Sequence, residues 1–129
     1  MGFFTNILKN VNVRSTSERI LKEVGVAIDI YKKSNPQKTL PTILKEREFH
    51  QSLIIRDLHG NFIGSAENLI TPLPDHLKHR ENEPLALVFN IVCCIVNYEM
   101  SYDATMGKRS DIEAIYETVS KNMNKYIKT

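Results

Sequence analysis

"LALVFNIVCCIVNYEM", Leu85 to Met100, is the most apolar run of the chain, and its reading decides the fold. Three readings compete: a membrane anchor, a redox or metal site built on Cys93-Cys94, or the buried axis of a small globule. A membrane span takes about 20 predominantly apolar residues, whereas a run of roughly 10 to 14 more often marks a buried helix. Asn90 and Asn97 interrupt this run and Glu99 follows them. A buried strand is the stronger rival, because Val, Ile and Phe favour sheets. The pattern nevertheless continues helically through "NYEMSYDATMG", where Gly107 suits a C-terminal cap. That exceeds the roughly 5 or 6 residues of a typical strand. The run predicts a core helix over about 85–106.

At about 100° per residue, the small and polar side chains of this helix share one side. Ala86, Asn90, Cys93, Cys94, Asn97, Ser101 and Ala104 make that stripe. Val88, Val92 and Ile95 lie opposite, continued by Glu99, Tyr102 and Met106. The stripe predicts a close helix crossing, with both Asn amides satisfied inside the protein. A ligand groove oriented by Asn90 and Asn97 is the sharper alternative. Glu99 and Asp103 are expected to mark where the helix emerges into water. Neighbouring cysteines on a helix diverge by about 100°, so the pair neither closes an easy disulfide nor chelates one metal. No second cysteine pair exists to complete a zinc site. Cys93 and Cys94 are read as small apolar residues.

Working outward, 129 residues suit one domain, here taken as 1–129. Such a chain buries roughly two-thirds of its unfolded surface and needs no disulfide or structural metal. Charged residues at 25% and apolar ones at 42% are ordinary for a globular protein. The net charge of +2 is small and the basic residues are dispersed, which argues against nucleic acid and anionic membranes as partners. "MGFFTNILKN" lacks the features of a secretory signal, and Asn6 breaks the myristoylation pattern. With only two cysteines, side by side, a reducing cytoplasmic location is expected.

The flanks read as helices. Phe3, Phe4, Ile7, Leu8 and Val11 share a face, expected to pack as a short amphipathic turn or two. Ser15 and Glu18 have capping-box spacing and predict the start of a second helix. Its apolar stripe is Ile20, Leu21, Val24, Ala27, Ile28 and Tyr31, and "NPQK" ends it. Ser110 and Glu113 repeat the capping box ahead of Ile112, Ile115, Tyr116, Val119, Met123, Tyr126 and Ile127. Glu117 and Lys121 are an i,i+4 pair on the outer face. The middle is open. "TLPTILKEREFHQSLIIRDLHGN" reads as a helix capped by Thr39, with Pro41 in its first turn and Gly60 stopping it. The same region also reads as a β-hairpin at about 53–65 around "HGN". The caps and the charged "KEREFHQ" favour the helix. The expected fold is a mainly α, single compact bundle of four to six helices around the 85–106 helix; the alternative is α+β with one hairpin.

Chemistry is sparse. His76, His79 and Glu83 have a spacing that presents metal ligands along a helix face, with Asp75 beside them. Their flanking prolines and the neighbouring Lys78 and Arg80 oppose a bound cation, and no metal or cofactor is expected. Asp57 and His59 suit an imidazole oriented as a general base, but no nucleophile stands in a matching context. A small hydrolase-like enzyme using either group is the alternative. The preferred expectation is a non-enzymatic domain that binds another protein, as an immunity protein or antitoxin binds a toxin. Asp75, His76, Lys78, His79, Arg80, Glu81 and Glu83, mixed in sign, are the expected partner-binding residues.

Overall fold

The computed structural model describes residues 2–57, 59–100 and 109–128, with side chains from Val13 in the first helix and from Ile112 in the last. It is mainly helical with one small antiparallel hairpin. The elements run α1 (Gly2–Ser34), α2 (Leu40–Lys45), α3 (Arg47–Gln51), β1 (Ile54–Arg56), β2 (Phe62–Ser65), a 3-10 helix (Asp75–Arg80), α4 (Pro84–Met100) and α5 (Arg109–Tyr126). No helix among the described residues is long and apolar enough to cross a membrane.

The Leu85–Met100 run is the core helix. Inside α4, Leu87, Val88, Ile91, Val92, Ile95 and Val96 are buried, repeating every three to four residues. α4 packs on α1, α2, α5 and β1. Its expected extension to residue 106, the Gly107 cap and Asp103 lie outside the described residues. Two expectations along it are corrected. Asn97 is exposed instead of satisfied inside, and Glu99, expected at the surface, is only 4% exposed. The reason is the orientation of the stripe. It faces a side that is only partly covered, at Asn90, whose amide donates to the Thr71 carbonyl at 2.7 Å. Val88, Ile95 and Glu99 share the opposite, deep side, so the charge is carried inside with them. Cys93 and Cys94 are free and half-buried, and burial, with Cys94 alongside, pushes the Cys93 thiol up to about 12.

α1 is one continuous helix, so Ser15 lies within it and does not cap a second helix. No proline precedes Pro36 and the first internal glycine is Gly25, so nothing in the sequence breaks the helix at Ser15. The expected stripe holds: Ile20, Leu21, Val24 and Ile28 are buried, with Ala27 and Tyr31 packed at the edge. The Phe3, Phe4, Ile7 and Leu8 side chains lie outside the described ones. In α5, Ile115, Val119 and Met123 are buried, as is Ile127 just past its end, while Ile112 and Tyr116 are exposed. Glu117 and Lys121 form the expected pair at 2.9 Å, and Arg14 reaches the same carboxylate at 3.0 Å.

In the middle the single helix from Thr39 to Gly60 does not form. Thr39 does cap α2, its hydroxyl accepting the Thr42 N–H at 3.4 Å. Glu46 then breaks the helix in two, and α3 stops at Gln51. The hairpin follows, with Ile54 opposite Ser65, Ile55 opposite Gly64 and Arg56 opposite Phe62, across a bulge. The turn residues decide it. One Asp57 carboxylate oxygen accepts the N–H groups of His59 and Asn61, each at 2.9 Å. Gly60 sits at φ +81, where any other residue is strained. These bonds serve a turn and none serves a helix.

Candidate functional site

Among the described residues the one buried carboxylate, Glu99, lies at the helix–hairpin junction. Arg19 of α1 donates to Glu23 at 3.1 Å and also to the buried Glu99 of α4. Arg56 of β1 donates its side chain to Glu23 at 3.2 Å and its backbone N–H to Glu99 at 3.1 Å. Its guanidinium also reaches the Gly60 carbonyl at 2.9 Å, so the turn is tied into the same network. Two guanidiniums and two carboxylates thus clamp the hairpin to α1 and α4. Burying charge is tolerated because each carboxylate has partners.

Burial raises the Glu99 carboxyl above its ordinary range, and the Arg56 N–H and Arg19 offset this only in part. An acid whose folded pKa is raised favours the folded state when protonated. That contribution is complete below the ordinary carboxylate range and is lost as pH rises through the higher folded value. We therefore expect wild type to lose stability relative to Glu99→Gln as pH is raised from about 4 towards neutrality. Urea midpoints of the two proteins across that window test it. A relative gain by wild type would show that the Arg19 pairing outweighs burial.

Beside this network, α1 and β1 enclose a groove of about 530 Å³, within the usual range for binding clefts. Ile20, Val24, Ala27 and Ile95 form its floor, Ser52, Leu53 and Ile54 one wall, and Arg19, Glu23 and Arg56 line it as well. Val26 and Ile30 stand on its lip at 54% and 61% exposure. Their signal in the sequence is slight: two apolar residues four apart, off the stripe, where a solvent face calls for polar ones. Sequence reasoning passed over them, and passed over Glu99 because charge reads as surface.

The residues singled out from sequence fall elsewhere. Asp75, His76, Lys78, His79, Glu81 and Glu83 are all exposed, with Arg80 half-buried, on and just after the 3-10 helix. Arg80 pairs with Glu83 at 2.7 Å and Lys78 with Asp75 at 3.8 Å. Lys78 and Glu81 line a second groove of about 410 Å³, which Asn90, His50 and Arg47 share. The two grooves have no lining residue in common. Among the described residues, no three His, Cys, Asp or Glu side chains stand where they would hold a metal ion. Asp57 binds the turn backbone and Asn61, which hold its carboxyl below the ordinary range. Its carboxylate thus bonds the turn's His59 and Asn61 N–H groups and the Asn61 side chain. The chain matches no family model, no curated protein and no solved structure.

Proposed function

We propose that this chain is a non-catalytic protein-binding domain, an inhibitor of the kind represented by immunity proteins and antitoxins, whose partner is a toxin-like protein. The α1–β1 groove carries the reading. Its floor is apolar, and its lip offers Val26 and Ile30 to a partner, each gaining about 25 cal/mol per Å² of apolar surface removed from water. Charges fixed by pairing at one end supply the selectivity that apolar contact lacks. The exposed Asp75–Glu83 segment is the second candidate surface, and it suits steering by charge.

The test is co-expression with the product of the adjacent gene. A stoichiometric complex, with relief of that product's toxicity, is the expected result. Val26→Asp combined with Ile30→Asp should weaken the complex at least tenfold, or about 1.4 kcal/mol. Both sites are exposed, so the melting temperature should hardly move. Charge reversal at Asp75, Glu81 and Glu83 should mainly slow association and change its salt dependence. If no complex forms, or if toxicity persists with the complex intact, the inhibitor reading fails.

A further inference from the structure

We infer that the outer edge of β1 is a strand-docking site, which takes an extended, apolar-rich segment of a partner protein with an acidic side chain at its Arg56 end. The inference rests on the protein-binding reading and names what the groove receives.

The ladder fixes which backbone groups face the groove. Ala66 N–H donates to the Leu53 carbonyl at 2.8 Å, and Asp57 N–H to the Asn61 carbonyl at 2.9 Å. The Leu53 carbonyl and the Asp57 N–H therefore point across to β2, while the Leu53 N–H returns to the His50 carbonyl at 3.2 Å; Ile55 shares that phase, and 54 and 56 turn their backbone groups away from β2. Arg56 confirms the phase, since its N–H leaves the sheet to reach Glu99 at 3.1 Å. Glu99 thus satisfies the edge at that end. One position further out, the N–H and C=O of Ile54 have no hydrogen-bond partner among the described residues. Ile54 lines the groove.

A free donor and acceptor on a strand edge, facing an apolar trough with a helix as its far wall, match what an added strand needs. The strand's main chain bonds to Ile54, and alternate side chains enter the trough. Natural edges are commonly blunted by proline, lysine or a bulge. Here neither Ile54 nor Ile55 does so, and the bulge lies between Ile55 and Arg56, at the end that Glu99 closes. Charge selects the acidic residue. Arg19, Lys22 and Arg56 stand against Glu23 and Glu99, an excess of one positive charge. Lys22 is exposed and makes no ion pair among the described residues.

The experiment uses a displayed library of random ten-residue peptides selected on the full chain. Enriched peptides should alternate apolar residues and carry Asp or Glu near one end. The tightest, made synthetically, should slow exchange of the Ile54 amide at least tenfold at saturation. Replacing its acidic residue by Lys should weaken binding at least tenfold. Ile54→Pro removes only an outward N–H and leaves the β1–β2 ladder intact, so the fold should survive while binding falls at least tenfold. Ile54→Val, which keeps the N–H, should bind nearly as wild type does, and the peptide still protects its amide if the proline variant fails to fold. Enriched peptides that are basic or helically patterned, or that protect Ser65 on the far strand in place of Ile54, overturn the inference. So does a library that yields no binder. None of these outcomes touches the inhibitor reading, which the toxin complex and the Val26/Ile30 variants decide independently.

Discussion

Phe49→Ala is expected to lower the stability of the protein by about 3–5 kcal/mol, the range for removing a fully buried aromatic ring. Phe49 is 0% exposed and belongs to the hydrophobic core. Its ring meets Tyr31 edge-on, with centroids 5.6 Å apart, and His50 at 6.2 Å. Such an aromatic pair adds about 0.5–1.5 kcal/mol beyond burial. α3 is only five residues long, so it cannot reshape around the space as a longer helix would. The Phe49 carbonyl also receives the Ser52 N–H at 3.0 Å and the Ser52 hydroxyl at 2.6 Å, which starts the turn into β1. The groove wall at Ser52, Leu53 and Ile54 hangs from this anchor. Urea unfolding should show a lower midpoint with an unchanged slope. Phe49→Leu, which keeps most of the volume, should lose less. A loss below about 1 kcal/mol for the alanine variant would mean that the cavity collapses freely, against the close packing described above.

What was legible in the sequence was what burial alone imposes. Val88, Ile91, Val92, Ile95 and Val96 had to repeat every three to four residues because their side chains enter one core. The same held for Ile115, Val119 and Met123 in α5. Thr39 and Pro41 were readable because capping is local. Glu99 was not, since its partners Arg56 and Arg19 lie 43 and 80 residues away in the chain. A charge buried by distant partners has no local mark, and the default expectation for glutamate is water. The hairpin was legible only as an alternative. Helix propensity in "KEREFHQ" was real, but it governs α3 alone, and past Gln51 the β-branched Ile54-Ile55 and the Asp57 turn take over. The groove was hidden for a third reason. It arises where α1 and β1 meet, and neither Val26-Ile30 nor Ile54 announces that meeting in its own segment.

Gly25→Ala is expected to destabilise the protein by about 1–3 kcal/mol, the usual cost of forcing an extra methyl into a packed seam. Taken by itself, the change should help, because Ala in a helix interior is better than Gly by roughly 0.5–1 kcal/mol. The sign reverses at the crossing of α1 and α5. A methyl group on Gly25 falls directly on the Tyr126 carbonyl oxygen and lies 3.1 Å from both the carbonyl carbon and Cβ of that residue. Two of these atoms are backbone and cannot swing aside. Tyr126 is also held from both ends: its hydroxyl donates to Glu18 of α1 at 2.9 Å, and Ile127 N–H bonds the Met123 carbonyl at 2.8 Å. The helices must therefore separate, and Val24 and Ile28 on one side and Met123 and Ile127 on the other lose contact as they do. Thermal melts should show a lower midpoint for Gly25→Ala, by several degrees for a domain of this size. Gly64→Ala is the matched control, since a methyl group there meets nothing within 4 Å and should change little. A rise in midpoint at Gly25, as helix propensity alone would give, would show that the α1–α5 seam is looser than its geometry demands.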